Sequence, residues 1–161
     1  MRKILVLGAV VLVPMAGAAL AQTAQAPSHT MLAAAALQWG APPPVFEKGM
    51  SFTVLSGDPG KTGTFVVRLR MPAGYTIAPH WHPTDEHVTV LSGTLALGMG
   101  DTLDKAAMTK VSAGGYALLP ADMRHSARAV TAVTVQVSGA GPFALTYVNP
   151  ADDPSTRAAR K

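Results

Sequence analysis

From Ser51 onward, apolar and polar side chains alternate in short runs bounded by Gly, Pro, Asp and Ser, the pattern of half-buried strands. Thr64–Arg70 shows the alternation clearly, with Phe65, Val67 and Leu69 on one face and Val66, Arg68 and Arg70 on the other. The same pattern predicts strands over Ser51–Leu55, Tyr75–Trp81, Val88–Leu91, Thr94–Met99, Tyr116–Leu119, Ala127–Val137 and Phe143–Val148. Turn sequences separate these runs, among them Gly57-Asp58-Pro59-Gly60, Met71-Pro72-Ala73-Gly74, Ser92-Gly93 and Ala113-Gly114-Gly115. No long stretch holds a 3.6-residue period, and no internal repeat is present. The expected architecture is therefore an all-β sandwich or barrel.

The first residues follow another pattern. Met1-Arg2-Lys3 is a short positive start, and the uncharged run Ile4–Ala21 ends in the small-x-small triplet Ala19-Leu20-Ala21. This predicts a signal peptide over residues 1–21 and a mature chain from about Gln22, periplasmic or secreted, with no stable membrane anchor after cleavage. The competing reading is an uncleaved anchor, because the run sits at the lower limit for spanning a bilayer. Pro14 and the Ala-rich second half favour cleavage. Residues 22–48, with Ala33–Ala36 and Pro42–Pro44, read as an N-terminal arm that packs on the barrel or a neighbouring subunit, or as a plain leader. Within it, Met31–Leu37 suits a short helix or an added strand. The barrel is placed at 49–150, and residues 151–161 form a flexible basic tail.

Composition narrows the function. The chain has 161 residues, 48% of them hydrophobic and 14% charged, which suits one folded domain and excludes a disordered chain. Zero Cys rules out disulfides, Cys-ligated zinc, iron–sulfur clusters and thiol catalysis. The formal charge of +4 falls by two when Arg2 and Lys3 leave with the signal peptide. The remaining basic cluster is Arg157, Arg160 and Lys161, and no basic stripe with interleaved aromatics points to nucleic acid. No Gly-x-Ser-x-Gly elbow, P-loop or Gly-x-Gly-x-x-Gly helix start is present.

His80 and His82 are two apart in a strand-like run, so both imidazoles face one way and Trp81 the other. Pro83-Thr84-Asp85 can bend the chain and bring Glu86 back towards them, and His125 can return on a strand paired across the barrel. Taken singly, each histidine reads as a surface or hydrogen-bonded core residue and Glu86 as a solvated strand-edge charge. Together, three imidazoles and a carboxylate suit one divalent Mn, Fe, Co, Ni, Cu or Zn ion, with positions left for water, dioxygen or a chelating substrate.

These residues resemble the cupin superfamily. Gly74, His80, His82, Glu86 and Gly93 match its first motif at every fixed position. Gly114, Pro120 and His125 match the second, with Asp122 where the family usually has Gly and Ala129 where it often has Asn. The similarity covers roughly residues 50–148, and is greatest to small exported single-domain bacterial cupins. It implies an antiparallel jelly-roll barrel of six to eight strands, with His80, His82, Glu86 and His125 as metal ligands near one mouth. Barrels of this kind often pair through an edge strand, so a homodimer is expected.

Around such a centre, each ligand imidazole should donate its second N–H. Thr84, Asp85, Thr89 and backbone carbonyls near Pro79 are the candidates. His87 alternates away from Glu86 and should point outward. Arg68 and Arg70 are expected outside; in the opposite register they would enter the cavity and clamp a carboxylate. Arg124 and Arg128 are also expected outside, Tyr75 and Trp81 at the rim or in packing, and Met99, Met108 and Met123 in core or loop packing. Three functions follow. The first is a metal-dependent oxidoreductase, dioxygenase-like, acting on a small oxygen-rich or phenolic molecule. The second is a non-catalytic module binding a metal or small ligand, and the third a structural zinc site.

Overall fold

The computed structural model describes residues 29–158. The predicted signal peptide, the first residues of the arm, and Arg160 and Lys161 lie outside the described residues. Ten strands form two five-stranded antiparallel sheets. In chain order they are β1 (Ser51–Ser56), β2 (Gly63–Met71), β3 (Thr76–Trp81), β4 (Glu86–Ser92), β5 (Thr94–Met99), β6 (Thr109–Ser112), β7 (Tyr116–Leu119), β8 (His125–Ala129), β9 (Val133–Gly141) and β10 (Thr146–Tyr147). One sheet runs β1-β2-β9-β4-β7 and the other β10-β3-β8-β5-β6. This is the expected all-β jelly roll, with more strands than the expected six to eight.

The extra strands have local causes. The single run expected over Ala127–Val137 is two strands, β8 and β9, because the chain turns at Val130–Ala132 and passes from one sheet to the other. Thr109–Ser112 shows little apolar alternation, yet it forms β6 by pairing with β5 at the sheet edge. The strand expected over Phe143–Val148 shortens to Thr146–Tyr147. At the β4–β5 turn, Gly93 has φ +75°, and a Cβ there would lie 2.1 Å from the Ala132 carbonyl oxygen, so both sterics and conformation require glycine.

Apolar side chains alternate into the space between the sheets as the sequence predicts. Phe65, Val67, Leu69 and Met71 of β2 are buried with Val88 and Val90 of β4, Leu95 and Leu97 of β5, and Val133, Val135 and Val137 of β9. The opposite face of β2 turns outward: Arg68 donates to Gln136 at 3.1 Å and the Arg70 guanidinium stacks 3.8 Å over the Trp39 ring. Met99 and Met123 are exposed, contrary to the packing role expected for them.

The arm packs on the barrel. Ala34–Ala36 is one 3-10 turn, and Gly40 makes an isolated bridge to Phe52 at the outer edge of β1. Val45 and Phe46 pack against the core, the Tyr147 hydroxyl donates to Val45 O at 2.9 Å, and the Tyr75 hydroxyl donates to Glu47 O at 2.6 Å. The described part of the expected flexible tail is ordered as a 3-10 turn at Pro150–Asp152 and α1 (Pro154–Ala158), and Arg157 pairs with Glu47 of the arm.

Candidate metal centre

His80 lies on β3 and His125 directly opposite it on neighbouring β8, so adjacent strands of one sheet carry the two rings. Pairing is therefore between neighbours in a sheet rather than across the barrel. Pro79 sits where the β3–β8 register shifts, between Ile77 and His80. A bulge is where a residue without an N–H fits inside a sheet. His82 follows the end of β3, and Glu86 opens β4 in the opposite sheet, facing Gly139 of β9 and Leu119 of β7.

Two contacts between loops set the spacing. Asp85 Oδ1 accepts from Ala121 N at 2.8 Å, and Asp122 N donates to His82 O at 2.8 Å. The bend carrying His82 and Glu86 is thereby tied to the loop leading into His125. Asp122 adopts φ +63°, a left-handed conformation that favours glycine and that Asp tolerates better than most residues. The departure from the motif at this position keeps the turn.

All four predicted residues come together. One nitrogen from each of His80, His82 and His125 lies within 4.8 Å of the other two. Glu86 Oε2 stands 3.2 Å from His125 Nε2 and 3.6 Å from His82 Nε2. The three histidines and Glu86 are all buried. Each ring is held by a backbone carbonyl: His80 Nδ1–H donates to Ala78 O (2.7 Å), His82 Nδ1–H to Ala144 O (2.8 Å) and His125 Nδ1–H to Met123 O (2.9 Å). A carbonyl only accepts, so each Nδ1 bears a hydrogen, and a ring in its neutral form keeps its Nε2 lone pair for the interior. Ala78 is one of the carbonyls expected near Pro79, while two of the side chains expected for this task have other partners. Asp85 holds the loop just described, and the Thr84 hydroxyl donates to Ala140 O.

This arrangement fits a bound cation. Burial holds His80 well below the usual histidine range, helped by the nearby His125 and His82, and burial likewise lowers His82. Neutral rings are the ligand form. His82 Nε2 is buried with no hydrogen-bond partner, and two Nε2 lone pairs face a carboxylate oxygen at close range. Acceptors crowded together with no donor between them need a proton or a metal ion.

A cavity of about 310 Å³ opens against His80, His82 and Glu86. Phe46 from the arm, Phe52 from β1, Phe65 from β2, and Phe143 and Leu145 from the β9–β10 connection form much of its wall. Phe143 stacks on His82, with centroids 4.1 Å apart and planes 17° apart, and also meets Phe65 at 4.9 Å. Asp58 lies on the wall as well, its carboxylate held by Gly60 N and Lys61. A smaller void of about 30 Å³ lies deeper, against His125. No local spacing pointed to Phe143, Ala144 or Phe46, since their places depend on the β9–β10 connection and on how the arm docks. Outside the cavity, as expected, His87 Nδ1 meets the Tyr116 hydroxyl at 2.7 Å and Arg124 pairs with Asp101 at 2.6 Å.

A family model described as the ChrR cupin-like domain matches residues 27–144. No curated protein matches the chain. Among solved structures, the chain is similar to the polyketide cyclase RemF from Streptomyces resistomycificus, with TM-score 0.65, 15% identity, and 82% of this chain and 94% of that one covered. It is also similar to a candidate acetylacetone dioxygenase from Methylibium petroleiphilum PM1, with TM-score 0.62, 21% identity, and coverage of 84% and 96%. A third is an RmlC-like cupin from Shewanella frigidimarina, with TM-score 0.55, 13% identity, and coverage of 71% and 91%. At these identities the likeness is one of fold.

Proposed function

The chain belongs to the ChrR cupin-like family, and on that premise we propose that it is an exported, metal-dependent oxidoreductase, dioxygenase-like, acting on a small oxygen-rich or phenolic molecule. The observation that carries this reading is the position of the cavity, which reaches three of the four proposed ligands, His80, His82 and Glu86. A purely structural zinc site is closed by its four ligands, so an open face against a ligand-sized space argues for exchangeable positions. A bound Mn, Fe, Ni, Cu or Zn ion would supply Lewis acidity there, and a redox-active one would also supply electron transfer.

The chain's own residues supply the rest. The carbonyls of Ala78, Ala144 and Met123 set tautomer and ring orientation, and the Phe143 ring keeps His82 from turning. Phe46, Phe52, Phe65 and Leu145 exclude water from the space in front of the ligands. A second reading is a binding module without turnover. It is favoured by one observation: among the described residues, apart from the proposed ligands, Asp58 is the lone acid or base on the cavity wall, and its carboxylate is already held by Gly60 N and Lys61.

Elemental analysis of protein matured in the export compartment is expected to find one transition metal per chain, lost in His80→Ala. The Fe(II)-, Mn(II)-, Ni(II)- or Cu(II)-loaded protein is expected to consume oxygen with at least one member of a diverse phenolic and polyol panel. Stoichiometric metal with no oxygen uptake across the panel would reject the oxidoreductase in favour of the binding module.

A further inference from the structure

Resting on the reading that His80, His82, Glu86 and His125 hold a metal, we infer that the site takes a small molecule with one oxygen-donor end and an uncharged apolar body, and that Phe46 of the arm selects for that body. The wall beyond the ligands consists mainly of phenyl rings and aliphatic side chains. Among the described residues no Lys or Arg lines the cavity, and the two arginines of β2 are engaged outside it, Arg68 with Gln136 and Arg70 with Trp39. A second anionic group on the ligand would therefore lose its water without meeting a cationic side chain on the wall, and the nearby Lys61 is already paired with Asp58. A polyol would leave its hydroxyls unpaired against Phe46, Phe52, Phe65 and Phe143. At about 310 Å³ the space is at the small end of the range for ligand pockets, roughly 300–1,000 Å³.

The arm makes this wall a built one. Pro43, Val45 and Phe46 reach the cavity from outside the barrel sequence. Their segment is held by the Tyr147 hydroxyl at Val45 O, the Tyr75 hydroxyl at Glu47 O, and the pairing of Arg157 with Glu47. A wall fixed before the ligand arrives orders little on binding, so its chemistry is expressed as selectivity.

The test compares two catechols that differ at one substituent, 4-methylcatechol and 3,4-dihydroxybenzoate. Each is titrated anaerobically by calorimetry into the Co(II)-loaded full-length protein. The methyl compound is expected to bind about tenfold tighter or more, since the carboxylate would be buried unpaired. Phe46→Arg is expected to narrow or reverse that ratio by about tenfold, and Phe46→Ala to weaken 4-methylcatechol while leaving Co(II) affinity unchanged. A metal-free arm compares neutral N-phenyl-1-naphthylamine with 8-anilino-1-naphthalenesulfonate by fluorescence, and the neutral probe is expected to bind tighter. Equal or tighter binding of the anionic partner in either pair, or a catechol ratio that neither Phe46 variant moves, overturns the inference. Failure to bind Co(II) with the neutral-probe preference intact overturns the metal reading and leaves the selectivity of the cavity standing.

Discussion

Sheet β10-β3-β8-β5-β6 carries His80 and His125 on adjacent strands, with His82 just past the end of β3. The facing sheet, β1-β2-β9-β4-β7, presents Phe65, Val67, Leu69, Val135 and Val137, with Glu86 at its inner end. The first is held in place by polar geometry: a paired register, a bulge at Pro79, and three ring N–H groups on backbone carbonyls. The second is held by apolar area. A metal site needs lone pairs directed to within tenths of an ångström, which backbone hydrogen bonds can set, whereas a cavity wall needs volume and dryness, which close-packed aliphatic and aromatic side chains provide. Phe143 joins the two, stacking on His82 and meeting Phe65.

The division implies that stability and metal affinity can be damaged separately. Met71→Ala, at a buried site on β2 away from the large cavity, is expected to cost about 2–5 kcal/mol of unfolding free energy in urea titrations of the metal-free protein. Metal affinity should stay within about threefold, because Met71, although it lines the small deeper void beside His80, Glu86 and His125, supplies neither a proposed ligand atom nor a carbonyl that orients one. His82→Ala should do the reverse. Removing one of the four proposed ligands is expected to weaken metal binding by about a hundred- to a thousandfold, roughly the share of one ligand in a binding free energy of about 10–16 kcal/mol. Metal-free stability should fall less than in Met71→Ala, since removal of the buried Nε2 without a partner offsets part of the lost Phe143 stacking and Ala144 hydrogen bond. A large loss of metal in Met71→Ala would show that the two sheets are not independent.

The smallest expected effect concerns the arm. Burial, with the Glu47 charge adding to it, pushes the Tyr75 hydroxyl up to about 12, and burial also raises Tyr147. The unfolded chain gives up its tyrosine protons near pH 10, while the folded chain keeps these two. The folded state therefore binds more protons above that point, and stability falls as pH rises from about 10 through 12. Limited proteolysis is expected to cut near Val45–Glu47 earlier in that window than at pH 8. Tyr75→Phe and Tyr147→Phe together should flatten the pH dependence.

Much of the centre was legible in local spacing. His80 and His82 stand two apart on a strand and Glu86 follows a Pro-containing bend, relations that span a few residues, whereas the placing of His125 beside them was implied by the resemblance to the cupin motifs. The outward placing of Arg68 and Arg70 was legible for the same reason, because the alternation of β2 is strict. The loop role of Asp85 was not. Its carboxylate reaches Ala121, a partner 36 residues away that no spacing rule indicates. The break between β8 and β9 was hidden because no Gly or Pro punctuates Ala127–Val137, and β6 by its lack of apolar alternation.

The types of the proposed ligands, their order along the chain and the apolar character of the barrel interior were set by the amino-acid sequence, since side-chain chemistry and a two-residue period need no distant partner. That the Ala144 carbonyl orients His82, that Phe143 lies on His82, and that the arm rather than a second arginine-bearing face walls the cavity were decided by the tertiary fold. Those contacts join segments tens of residues apart, and strand register and loop docking, being collective properties of the packed chain, select them from many pairings of similar local energy.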